Sequence, residues 1–196
     1  MKVLIACEYS GIERDAFIAN GHDAMSCDIL PTESDGPHHQ GDVRDIIHDG
    51  WDLMIGHPPC TFLAVSGARW FKDRQQQQAE ALEFVKTLMD APIHKIAIEN
   101  PVSVISSRIR KPDQIVQPFE FGQPESKRTC LWLKNLPLLI PTKILPLPDC
   151  GYWQNQTPSH QNNLWGNKNR AKLRSLSYSG IAEAMADQWG TEFKLT

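Results

Sequence analysis

The stretch Trp51–Gly67, WDLMIGHPPCTFLAVSG, starts as an apolar run of strand length and then breaks on two prolines and a cysteine. A short apolar run bounded by turn formers reads as a buried strand. Pro58 and Pro59 lock their own φ angles, so the residues after the strand sit on a stiff loop that presents the thiol of Cys60. The same pattern of strand followed by a polar cluster recurs along the first half of the chain. Lys2–Ala6 is a β-like run followed by Glu8-Tyr9-Ser10-Gly11, and then by helical spacing over Ile12–Asn20 that Gly21 stops. His22–Asp28 reads as a second strand ending in an acid, and a Pro/Gly-rich segment, Pro31–Gly41, leads to Asp42-Val43-Arg44-Asp45. Asp73–Asp90 has the spacing of an amphipathic helix, with Ala79, Leu82, Phe84, Val85 and Leu88 on its apolar face and Gln75–Gln78 as a solvated first turn. Pro92 ends that helix, and His94–Ile98 is a further strand stopping at Glu99-Asn100-Pro101.

Alternating β and α segments of this length predict an α/β fold, with a parallel sheet covered by helices on both faces. Ligands of such sheets bind beyond the carboxyl ends of the strands. Glu8, Asp28, Asp42, His57–Cys60 and Glu99-Asn100 each follow a strand, so they should converge on one edge. The second half is proline-rich and has little periodicity until Tyr178–Trp189 reads as a helix. We therefore divide the chain into a core at 1–136, a small loop-built region at 137–175, and a helix returning to the core within 176–196.

The 196 residues suffice for one domain with a real core. No apolar run is long enough to span a bilayer. The start, MKVLIACEYSG, has a charge and a short apolar run, but Glu8 and the missing small-residue cleavage site favour a strand over a signal peptide. Five cysteines without a CxxC pair argue against a disulfide framework or a metal knuckle, which fits a reducing cytoplasm. The net charge of −3 is unevenly spread: residues 1–100 hold 8 Lys/Arg against 16 Asp/Glu, and the remainder 12 against 7. Lys168, Arg170, Lys172 and Arg174 lie in a segment without carboxylates, as a surface facing a polyanion would require.

A dinucleotide-binding turn needs three glycines so that the backbone can approach a pyrophosphate, and only Gly11 is present in the first turn. Asp28 is positioned to accept hydrogen bonds from ribose hydroxyls, and Asp42 from an adenine amino group. A nucleoside with no phosphate to cradle suits S-adenosylmethionine. At the chemical end, Cys60 and Glu99 follow successive strands. Strands that pair lie about 5 Å apart, so a thiol and a carboxyl could reach opposite edges of one planar ring. A pyrimidine is inert at C5 until a nucleophile adds to C6, and an acid at N3 eases that addition.

Taken in order, EYSG, the strand-ending Asp28, GDV, GHPPC, IEN and QPESKR resemble the motifs of the DNA cytosine-5 methyltransferases over roughly residues 1–135. The resemblance implies a Rossmann-like, S-adenosylmethionine-dependent core and a reduced member of phage or prophage type. In it Cys60 is the nucleophile, Glu99 contacts N3 and the amino group of cytosine, and Arg128 holds the base or supports the loop, with Lys127 as its competitor. It assigns cofactor contacts to Ala6, Cys7, Glu8, Tyr9, Ser10, Gly11, Asp28, Ile29, Asp42, Val43 and Pro59. DNA contacts fall to Lys127, Trp165, Lys168, Arg170, Lys172 and Arg174, cations suiting phosphates and the aromatic ring suiting a base. The chain departs from the family in its glycine-poor first turn, Thr61 after PPC where glutamine is usual, and Pro101 where valine follows EN. Its target-recognition region is also small. A modified S-adenosylmethionine, such as a carboxylated one, is the alternative donor. A free cytidine nucleotide or RNA is the alternative substrate, and a nucleic-acid-binding homologue without turnover is the non-enzymatic alternative. Gly67 could hinge a loop carrying Trp70 and Phe71 over an extruded base, or those rings could simply pack down.

Overall fold

The computed structural model describes residues 1–164, 166–168, 172–173 and 176–191. Among these residues one sheet is formed by β1 (Lys2–Ala6), β2 (Asp23–Asp28), β3 (His38–Gln40), β4 (Leu53–Gly56), β5 (Lys95–Pro101), β6 (Gln114–Val116) and β7 (Thr129–Lys134). Their order across the sheet is β3-β2-β1-β4-β5-β7-β6. Strands β1 to β5 are parallel, whereas β7 runs antiparallel to both of its neighbours. The principal α-helices among the described residues are α1 (Ile12–Ala19), α2 (Gln75–Met89), α3 (Ile105–Arg108) and α4 (Ser179–Trp189). The chain moves outward from β1 through β2 and β3, then returns to β4 on the other side of β1, so the crevice of the fold opens above the ends of β1 and β4. This is the expected Rossmann-like α/β arrangement.

Strand parity divides the core. In β1, Leu4 and Ala6 join one buried cluster and Val3 and Ile5 the other; in β4, Met54 and then Leu53 with Ile55 divide the same way. Strands apolar on both faces are what a sheet covered on both sides requires. Helix α2 covers the first face with Val85 and Leu88. Helices α1 and α4 cover the second, burying Phe17, Ile181, Met185 and Trp189. Of the apolar face expected for α2, Ala79 is exposed, while Leu82 and Phe84 are partly buried against the same cluster as Val85 and Leu88.

Two close approaches require glycine. Gly11, at φ 79°, starts α1, and a Cβ there would lie 2.1 Å from Ser34 Oγ. A Cβ on Gly180 would lie 2.0 Å from the Phe121 carbonyl oxygen, so α4 can seat its first turn only with glycine at that position. The aperiodic region after β7 is held by specific pairs. Phe119 and Trp153 stack with centroids 4.7 Å apart, and Asn155 exchanges two hydrogen bonds with the backbone of Ser126. The Trp189 indole N–H donates to the Pro137 carbonyl at 3.0 Å and ties α4 to that region.

The strand expected to stop before Glu99 instead continues through Pro101, because β7 pairs with it residue by residue from Ile96–Lys134 to Pro101–Thr129. Strands β3, β6 and β7 had no clear sequence signature. Two of them have only three residues, and β7 owes its place to pairing rather than to alternation. No helix among the described residues is long and apolar enough to cross a membrane.

Trp189 is fully buried and Leu147 is 56% exposed. Replacing Trp189 with alanine should cost about 3–5 kcal/mol in urea unfolding, while Leu147→Ala should stay within about 0.5 kcal/mol.

Candidate active site

The register of β4 on β5 pairs Gly56 with Ile98, so the next residues, His57 and Glu99, emerge side by side. Parity sends both to the α1/α4 face, as continuations of Ile55 and Ala97. The His57 backbone N–H is fixed by the Ala6 carbonyl at 2.8 Å. Its ring is held at both ends: Nδ1 lies 2.9 Å from Glu99 Oε2, and Nε2 lies 2.5 Å from Glu13 Oε2. Glu13, in the first turn of α1, is 2% exposed. An ionised carboxylate can only accept, so two such partners call for an N–H on each ring nitrogen, that is, an imidazolium. Burial works against charge on His57. Attraction and hydrogen bonds from Glu13, with Glu99 adding to them, win and raise its pKa well above the ordinary histidine value. Burial likewise works against the Glu99 carboxylate, but hydrogen bonding from His57, the field of Lys127 and the Thr129 hydroxyl hold its pKa below the usual range. Lys127, Thr129, Tyr178 and Met185 complete the walls of the cleft. Tyr178 donates to Glu125 at 2.7 Å, and the Lys127 ammonium lies 5.3 Å from the Tyr178 ring centre.

On the other face, Asn100 follows the parity of Ile98 and donates its Nδ2 to the Pro58 carbonyl at 2.8 Å. The carbonyl of Cys60 accepts from the N–H groups of Leu63 and Ala64, and Val65 bonds back to Val102 at 3.0 Å. The proline-stiffened loop is thus stapled to the end of β5. Pro58 is buried, while Pro59 and Cys60 are exposed. Val65–Asp73 then forms a 3-10 helix that contains Gly67. Trp70 on it is half exposed, with the guanidinium groups of Arg69 and Arg74 at 5.0 and 6.0 Å from its ring, whereas Phe71 is partly covered.

The first turn is built around Glu8, which is 5% exposed. Its carboxylate accepts the Gly11 N–H at 3.0 Å and a short hydrogen bond from the Ser10 hydroxyl. Burial, with Glu13 nearby, raises its pKa. Ala6 is buried, Cys7 takes a left-handed φ of 61°, and the Tyr9 carbonyl accepts from the Glu33 N–H. The segment after β2 is drawn over this turn by Arg14, which is fully buried and donates to Ser26, Thr32, Ser34 and the Asp35 carbonyl. Asp28 caps the Leu30 N–H at 2.9 Å, and Ile29 is exposed beside it. Burial, reinforced by Asp28 and Asp42, pushes the Cys27 thiol up to about 12 and raises that of Cys7 as well. A crevice ringed by carboxylates repels a pyrophosphate and suits a cationic, phosphate-free nucleoside such as a sulfonium. Two assigned residues are otherwise engaged. Both oxygens of Asp42 hold Arg44, whose hydrogen bonds bring the Asp42 pKa down to about 2, and Val43 lies in the core.

Among the cations, Lys127 lines the cleft, while Arg128, its alternative, is exposed at the start of β7. Lys168 is exposed, and Lys172 forms an ion pair with Glu33. Trp165, Arg170 and Arg174 lie outside the described residues. The sequence reading placed His57 in the strand-end cluster His57–Cys60 but gave it no role of its own, and it did not single out Glu13. Extending the parity of Leu53–Ile55 by two residues would have found His57, but Glu13 is brought in only by the packing of α1.

A histidine that is more basic folded than unfolded stabilises the native state fully below its unfolded pKa, about 6.5, and that contribution is lost as pH rises through the raised native value. Urea midpoints of the wild type should therefore fall over the alkaline range, from about pH 6.5 upward, and His57→Gln should flatten that decline.

No protein-family model matches this chain, and no curated protein does. One solved structure similar to it is described as a candidate DNA modification methyltransferase encoded within a prophage of E. coli, with 17% identity and a TM-score of 0.46. The match covers 74% of this chain and 52% of that one, so this chain spans about half the length of that structure. A likeness of that size bears on neither family nor function.

Proposed function

We propose that this chain transfers a methyl group from S-adenosylmethionine to C5 of cytosine in DNA, with Cys60 as nucleophile and Glu99 at N3. One observation carries this reading. An exposed thiol on a stapled loop just beyond β4 and a partly buried carboxylate in the last residues of the adjacent, hydrogen-bonded strand β5 lie at the same end of the sheet. S-adenosylmethionine would supply the electrophilic methyl group. The chain's own residues do the rest. The Cys60 thiolate adds to C6, and the π electrons released toward N3 are met by a proton from Glu99, leaving C5 nucleophilic. Lys127, close enough to lower the pKa of Glu99, supplies positive potential at the exocyclic edge of the base.

For the cofactor, Asp28 would hold the ribose, and Ile29 would cover one face of the adenine. Asp42 would reach the adenine amine only by giving up a bond to Arg44. The base must leave the stack to meet Cys60. Lys168, Arg170, Lys172 and Arg174 are the phosphate contacts in this reading, and Lys172 would exchange Glu33 for phosphate.

DNA containing 5-fluorocytosine cannot lose its C5 substituent, so incubation with S-adenosylmethionine should trap a denaturation-resistant adduct. Cys60→Ser should abolish that adduct and Glu99→Gln should slow its formation by about 10²–10⁴-fold. No adduct on single- or double-stranded DNA would sink the proposal. Changing the four cations to alanine should lower the salt slope of DNA binding by about 0.7–0.9 for each phosphate that is no longer neutralised.

A further inference from the structure

We infer that Glu13 and His57 form the proton store of the site, His57 passing its Nδ1 proton to Glu99 as Glu99 protonates the pyrimidine at N3. This rests on the roles proposed above for Cys60 and Glu99. Glu99 faces a contradiction in the resting site. It must donate a proton to N3, yet the imidazolium, Lys127 and Thr129 favour its carboxylate form. The bond from His57 Nδ1 to Glu99 Oε2 resolves it. The N–H bond at Nδ1 breaks as an O–H bond forms at Oε2, and that O–H bond then breaks as N3 takes the proton, which leaves Glu99 a carboxylate again. His57 becomes neutral and keeps its Nε2 proton against Glu13, while Lys127 faces the Glu99 carboxylate. After methyl transfer the C5 hydrogen leaves as a proton to solvent while the sulfur–C6 bond breaks, the N3 proton returns by the same route, and the cycle needs no outside acid.

His57 touches no substrate atom in this scheme; it is a positioning residue acting through Glu99. The charged groups facing it are Glu13 from α1, Glu99 from β5 and Glu8 from the first turn, with Lys127 behind Glu99. The three carboxylates outnumber the one ammonium, which keeps the ring protonated when the site is empty.

The addition step can be read without a methyl donor, because thiolate addition at C6 exchanges the C5 hydrogen of cytosine with solvent. Release of C5 tritium from a cytosine-containing oligonucleotide should rise with pH as the Cys60 thiolate forms, then fall as His57 loses its proton. His57→Gln should slow exchange at least about tenfold and remove the alkaline limb. Glu13→Gln preserves shape but removes one of the anions that favour the imidazolium, so it should move that limb to lower pH. A folded Glu13→Gln variant with an unmoved limb would overturn the inference. Should either variant fail to fold, NMR titration of His57 in the unmodified protein decides: a ring already neutral at pH 7 overturns the inference. A Cys60-dependent adduct without any effect of His57 or Glu13 would remove the proton store and leave the proposed function standing. No adduct and no exchange from the unmodified protein would remove both.

Discussion

The register between β4 and β5 is the constraint on which everything else in this molecule depends. With Gly56 opposite Ile98, the pairing of the two strands ends there, and the next residues, His57 and Glu99, have to share one face at strand spacing. Gly56 itself is part of that constraint: a Cβ there would come within 3.0 Å of Ile98 Cδ1 and 3.4 Å of Leu88 Cδ1, where α2 packs on the sheet. Shifting the register by one residue would turn Glu99 to the opposite face and separate it from both His57 and Glu13.

The two faces of the sheet then build different things from alternate residues of the same strands. On the α2 face, Asn100 and Leu63 anchor the proline loop, so the exposure of Cys60 comes from a buried hydrogen bond and a buried leucine close to it. On the α1/α4 face, Glu13, His57 and Glu99 concentrate charge under a cover of Tyr178, Ile181 and Met185. Neighbouring residues can hold opposite environments because successive side chains of a strand point to opposite sides. A carboxylate buried in such a place is costly unless a positive partner reaches it. Here the imidazolium serves two carboxylates at once.

In the first turn, charge takes the places that glycines fill in dinucleotide-binding turns. Glu8 folds back onto the Gly11 N–H, and Arg14 draws the segment after β2 across the turn. A backbone N–H already satisfied by a buried carboxylate is not free to hold a phosphate, and Asp28 and Asp42 add to the negative potential. Under the proposed function this turn faces a positively charged nucleoside and keeps only one of the usual glycines.

By itself the sequence determined the α/β alternation, helices over Ile12–Asn20 and Asp73–Asp90 that the structure sets at Ile12–Ala19 and Gln75–Met89, and the clustering of Glu8, Asp28, Asp42, His57–Cys60 and Glu99 towards strand ends. These are local matters, set by hydrophobic period, by prolines and by glycines, and a linear reading can follow them. The short strands β3 and β6, the reversed β7, and the extension of β5 through Glu99 were decided by partners distant in the chain, because a strand of a few residues is stabilised by its neighbours more than by its own composition. The same holds within the site. Lys127 rather than Arg128 faces Glu99, Asp42 is taken by Arg44, and Glu13 closes on His57 across 44 residues of chain. Those choices depend on which way each side chain points once the helices are packed, and only tertiary structure carries that information.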